Sequence, residues 1–166
     1  MTADVVGEIL DRRQIIDLQA TYCERLDEYD LDGVAATFTQ DAIADYGPGR
    51  GGRVEGRAAI RARIARGQAE FRRTAHVMGQ SLVTLDGDRA RAVTYITASH
   101  ERWNGVQETL RLRYIDGLRR EPRGWLIAER RLGMMVAEGF EGTDWMWVER
   151  RQPEMEAPGE GEGMQQ

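Results

Sequence analysis

The second half of this chain constrains its fold more than any other part. From Thr74 to Glu138 apolar and polar residues alternate in segments broken by turn signals. Asp86-Gly87-Asp88 and Asn104-Gly105 favour tight hairpins, and Glu121-Pro122-Arg123-Gly124 turns the chain a third time. The spacing predicts strands over Ala75–Leu85, Arg89–Trp103, Glu108–Arg120 and Trp125–Val136. Joined by short turns, they must pair as an antiparallel meander. Alternation puts Thr94, Ile96, Ala98 and His100 on one face of the second strand, and Leu110, Leu112 and Tyr114 on one face of the third.

The first half reads as helices. Ile15, Leu18, Tyr22, Leu26 and Tyr29 recur at steps of three or four within a helix over residues 4–29. A short helix over Leu31–Phe38, capped by Asp30, precedes a short strand, Ala42–Tyr46. The loop Gly47-Pro-Gly-Arg-Gly-Gly52 has neither the Lys-Ser/Thr of a phosphate loop nor the GxGxxG spacing of a dinucleotide site, so it reads as a turn. A third helix, Arg57–Phe71, places Ile60 and Ile64 on one face and its arginines largely on the other, a basic face that either binds an anion or, the better reading, is solvated. Helices ahead of a meander make an α+β fold, with the helices on one face of a curved sheet.

Composition excludes several classes. The 166 residues suit one domain with a real core, and the net charge of −5 argues against a nucleic-acid-binding domain. All 23 basic residues are Arg, so individual surface arginines carry little functional signal. One cysteine, Cys23, allows no internal disulfide and reads as a small core residue. Without a signal-peptide pattern or an apolar run of membrane length, the expectation is a cytoplasmic protein that binds no membrane. Residues 1–138 read as the folded domain. Phe140, Trp145 and Trp147 mark residues 139–152 as a lid or an oligomer contact, and the Glu-, Gly- and Pro-rich stretch 153–166 reads as a disordered tail.

The only two histidines fall on adjacent predicted strands. His76 lies ten residues before the first hairpin turn and His100 twelve after it, so they are expected nearly level across the pair. Strand alternation aligns His76 with Met78 and Gln80. A metal site is the rival reading, but no HxH or HExxH spacing accompanies these histidines, and no metal is expected. Asp27 ends the first helix on its apolar side, where a carboxylate needs a partner. It either orients an imidazole as a base or caps the turn at Asp30. Tyr46 and Tyr22 either polarise a carbonyl or fill the core. Leu110, Leu112 and Tyr114 would give a pocket an apolar wall, suited to a flat, hydrophobic, oxygenated small molecule.

The order Tyr22-x4-Asp27, Asp45-Tyr46-Gly47, Arg73-Thr-Ala-His76, Asp86-Gly-Asp88, His100 and Gly124-Trp125 resembles the SnoaL-like superfamily over roughly residues 10–138, most of all its scytalone dehydratase branch. The resemblance implies a cone-shaped α+β barrel, three N-terminal helices packed on a strongly curved, mostly antiparallel sheet that encloses a deep pocket. It implies an Asp–His pair at Asp27 and His76, a second histidine at His100 and a water-holding tyrosine at Tyr46, with Tyr22, Met78, Leu110, Leu112 and Tyr114 toward the substrate. Leu26, Leu112 and Tyr114 stand where scytalone dehydratase carries polar groups, so a different and more apolar substrate is expected. The implied activity is a cofactor-free dehydratase acting on a polyketide-like aromatic or polycyclic ketone. The alternatives are a cyclase or isomerase of the same fold and a non-catalytic small subunit of a ring-hydroxylating dioxygenase. The implied assembly is a homotrimer, with a dimer as the alternative.

Overall fold

The computed structural model describes residues 2–151, with side chains from Val5 onward; the expected tail, 153–166, lies outside the described residues. The elements run α1 (Thr2–Asp27), α2 (Leu31–Ala36), β1 (Phe38–Asp45), a 3-10 turn (Pro48–Arg50), β2 (Arg53–Glu55), α3 (Arg57–Gln68), β3 (Phe71–Asp86), β4 (Arg89–Arg102), β5 (Gln107–Glu121) and β6 (Gly124–Glu138). Six strands form one sheet in the order β2-β1-β6-β5-β4-β3. All neighbours are antiparallel except β1 and β6, which run parallel. The helices pack on the concave face of this curved sheet, the expected α+β cone.

The three turns form where the sequence places them. Gly87 sits at φ 55° between β3 and β4, in the left-handed region that glycine tolerates. β4 and β5 alternate without interruption, so Ala92, Thr94, Ile96, Ala98 and His100 face the core together, as do Leu110, Leu112 and Tyr114.

Four expectations are corrected. The short strand β2 pairs with β1 and has no sequence signature of its own. α1 stops at Asp27, and Tyr29, expected on its apolar face, sits at φ 58° and is 51% exposed. β3 carries a bulge: its pairing passes from Met78↔Ile96 to Ser81↔Thr94, three residues against two. The extra residue inverts the alternation, so Gln80 is exposed and Ser81 turns inward. The histidines are not level: Thr74 faces His100 and Ala98 faces His76, a diagonal offset of two residues.

Candidate functional site

The site begins where α1 ends. A reversal at Tyr29 stops the helix, and Asp30 caps α2 by accepting a 2.9 Å hydrogen bond from the Gly33 N–H. Asp27 is thereby left free to face β3 and does not serve as that cap. Its carboxylate accepts three hydrogen bonds: from the Thr74 hydroxyl at 2.7 Å, the His76 backbone N–H at 2.7 Å and His76 Nδ1 at 2.6 Å. Partial burial of the helix end opposes ionisation, but these bonds outweigh it and hold the carboxyl below the usual aspartate range. An ionised Asp27 can only accept, so in the neutral imidazole Nδ1 carries the hydrogen and Nε2 is the nitrogen with the lone pair. The His76 side chain is buried.

Beyond His76 lies a cavity of about 80 Å³, walled in part by Leu26, Ile64, Phe71, Leu110, Leu112 and Phe140. His100 shares it, its ring 5.6 Å from that of His76 at 87° and 4.4 Å from Phe71. Burial, then the neighbouring His76 and Arg50, pull the His100 pKa down to about 3. The imidazole is neutral at pH 7, and its buried Nδ1 has no hydrogen-bond partner among the described residues. Tyr46 also lines the cavity with a buried, unpartnered hydroxyl, and burial raises its pKa. Among the described residues, three buried polar atoms in the cavity lining lack partners, the third being Trp145 Nε1. Buried polar groups of this kind are ordinarily satisfied, so the cavity is suited to a ligand that carries oxygen.

Behind Tyr22 and Tyr114 lies a polar network with no counterpart in the sequence reading. Arg130 and Asp116 are fully buried and meet through two parallel hydrogen bonds of 2.8 and 2.7 Å. Gln19 donates to Asp116 at 3.1 Å and accepts from Thr94 at 2.7 Å and Ser81 at 3.1 Å. The Arg130 guanidinium lies 4.1 Å from the ring centre of Tyr22 and 4.0 Å from that of Tyr114. Both tyrosines line the cavity as expected, and this stacking fixes their orientation.

Of the predicted residues, His76, His100, Tyr46, Tyr22, Leu110, Leu112 and Tyr114 converge on the cavity, and Asp27 stands behind His76. Met78 does not: it packs against the core but is not part of the cavity wall. Phe140 and Trp145 are buried over the cavity, rings 5.5 Å apart, whereas Trp147 is 52% exposed. The segment that carries them is tied back by Gly49 N–H donating to the Asp144 carbonyl at 2.8 Å. Arg50 and Arg63 also line the cavity; neither was singled out in the sequence, and the arginine face of the third helix read better as solvated than as an anion site. Arg63 does fall at helical spacing from Ile60 and Gly67 on the inward face of α3, a signal the uniformly arginine-rich composition masked.

Known structures share this architecture. A protein of Novosphingobium aromaticivorans provisionally assigned as a scytalone dehydratase superposes with a TM-score of 0.81 at 20% identity, over 92% of this chain and 100% of that one. A hexachlorocyclohexane dehydrochlorinase superposes with a TM-score of 0.73 at 13% identity, over 90% of this chain and 99% of that one. At such identities the likeness is one of fold. A second Novosphingobium aromaticivorans protein, provisionally assigned as an aromatic ring hydroxylase, is 30% identical with a TM-score of 0.74, over 79% of this chain and 94% of that one. Among the described residues no helix is long and apolar enough to cross a membrane. Residues 7–131 match the SnoaL-like domain, and the chain belongs to that family.

Proposed function

We propose that the protein is a cofactor-free lyase, a dehydratase of hydroxylated ketones with a flat aromatic or polycyclic body. The observation that carries this reading is the His76–Asp27 pair set beside two unpartnered polar atoms, Tyr46 Oη and His100 Nδ1, in one apolar cavity. His76 Nε2 takes the proton α to the ketone, and the C–H electron pair enters the enolate. The Tyr46 hydroxyl donates to the enolate oxygen. As the enolate collapses to the conjugated double bond, the β-carbon–oxygen bond breaks and the leaving hydroxyl takes the proton back from His76, departing as water. Asp27 stabilises the intervening imidazolium. Neutral His100 is not a standing acid; it orients the leaving group by hydrogen bonding, which replaces the protonating role one could read into a second histidine. The names of two structural neighbours, a dehydratase and a dehydrochlorinase, support elimination chemistry. The same enolate would also serve an aldol cyclisation coupled to the loss of water.

The test is turnover of a β-hydroxyketone polyketide by wild type, His76→Ala and Asp27→Asn, followed by the absorbance of the enone. Wild-type rates in both variants would sink the proposal. The hydroxylase name of one neighbour favours a second reading, a non-catalytic subunit of a ring-hydroxylating enzyme. Under that reading the protein is soluble only beside an iron–sulfur partner; under ours it purifies alone, as a colourless homotrimer or dimer.

A further inference from the structure

We infer that Arg63, supported by Arg50, is a binding site for a carboxylate borne by the substrate. The inference deepens the lyase reading by naming a substrate class, hydroxyketones that also carry an acid group.

Arg63 is only 8% exposed. Its Nε donates to the backbone carbonyl of Arg50, and among the described residues no carboxylate lies within ion-pair distance of it. The contrast is Arg130, more deeply buried still, which Asp116 grips with two hydrogen bonds. A buried guanidinium with no counter-ion is costly, and a fold retains one where something else brings the negative charge. Burial first, then the adjacent Arg50, lower the Arg63 pKa, as expected for a cation short of anions.

The surroundings keep this guanidinium in place. It lies 4.7 Å from the centre of the Tyr46 ring, which supports one face. A Cβ at Gly51 would come within 2.9 Å of Arg63 Nε, and one at Gly67 within 2.6 Å of Nη1. Gly51 belongs to the glycine cluster that matches no nucleotide motif; here its lack of a side chain makes the slot for Arg63. Arg50 lines the same cavity. Its carboxylate partner, Glu70 at 3.5 Å, is shared with Arg102 at 3.2 Å. Arg50 and Arg63 also wall an outer groove with Arg66, so three guanidinium groups face one carboxylate in this corner. The guanidinium fork matches a carboxylate better than it matches a neutral carbonyl. A carboxylate on Arg63 would tether the substrate in the cavity shared by His76 and Tyr46.

The test is binding, which needs no turnover. Calorimetry compares benzoate and 2-naphthoate with benzamide and 2-naphthamide on the full chain. Wild type should bind each carboxylate at least about tenfold tighter than its amide, Arg63→Gln should abolish that preference, and Arg50→Gln should reduce it severalfold. Arg89→Gln, exposed at the start of β4 and outside both the cavity and the outer groove, should leave it intact. Equal affinity of wild type for acid and amide, or no binding of either acid, overturns the inference whether or not the variants fold. So does a folded Arg63→Gln that keeps the preference. If the carboxylate preference depends on Arg63 but His76→Ala dehydrates at the wild-type rate, the anion site stands and the lyase reading falls.

Discussion

Asp27 Oδ1 and His76 Nδ1 lie 2.6 Å apart, although 49 residues separate them in the chain. A helix terminus supplies one partner and a strand the other, and the same carboxylate also takes the His76 backbone N–H. The imidazole is therefore fixed at two points, ring and main chain. Asp27→Asn keeps the shape but offers an amide where the charge was, so it no longer stabilises the imidazolium or dictates the tautomer. The expected result is a fall of about 10²–10⁴-fold in dehydration rate. His76→Ala should fall by a similar factor, and the double variant should fall little further, because the two groups act as one unit. Single-turnover kinetics on the three variants checks this; losses that multiply would show that the pair does not work together.

Tyr46 sets stability against activity. Its hydroxyl is buried without a partner, so the folded protein bears a desolvation cost that a ligand would relieve. Tyr46→Phe should leave stability unchanged or raise it by about 1 kcal/mol. The same change should slow dehydration by about 10²–10³-fold, the range seen when one donor to a developing oxyanion is lost. Urea denaturation and kcat measured on one preparation decide the matter. A variant that is less stable and equally active would contradict the placement of this hydroxyl.

The sequence disclosed the parts of the site that lie on unbroken periodicities. His100, Leu110, Leu112 and Tyr114 sit on strands whose alternation never slips, and Asp27 stood out as a carboxylate on an apolar stripe. Bulges hid the rest. In β6 the pairing passes from Leu118↔Ile127 to Gly117↔Glu129, so Arg130 faces inward where simple alternation from Trp125 and Ile127 selects Glu129. The bulge after Met78 misplaced Gln80 in the same way. Arg63 was obscured for another reason: in a chain whose 23 basic residues are all Arg, one inward arginine looks like its neighbours.

The Asp116–Arg130 pair should prove structural. Both side chains are fully buried, and Arg130 lies against the Tyr22 and Tyr114 rings, which themselves meet edge to face at 5.5 Å. Asp116→Ala strands a buried cation and should cost about 3–5 kcal/mol. Replacing both partners, as Asp116→Leu with Arg130→Met, should cost less than Asp116→Ala alone, because no charge remains unpaired. Guanidinium denaturation of the single and double variants tests this; a double variant as unstable as the sum of its singles would contradict it.

His100 should shape the acid limb of stability. Its folded value near 3 lies well below the ordinary 6.5, so between those limits the unfolded chain binds a proton that the folded protein does not. Stability from this group is therefore complete above about pH 6.5 and declines on acidification, by about 1.4 kcal/mol per pH unit. Asp27 acts lower. Its folded value lies below the ordinary 3.8, so its contribution is present above that value and is lost only as pH falls through the depressed folded value. The two effects separate between pH 6.5 and 4.5, where His100 titrates in the unfolded chain while Asp27 stays ionised. His100→Phe removes the proton uptake and keeps an aromatic ring against Phe71 and Phe140. Over that interval wild type should lose about 2–3 kcal/mol to this group, and His100→Phe should be correspondingly flatter. Denaturation midpoints at pH 7.0, 6.0, 5.0 and 4.5 give the slopes directly. Parallel slopes would mean that His100 takes up a proton in the folded protein and is not held neutral by its apolar surroundings.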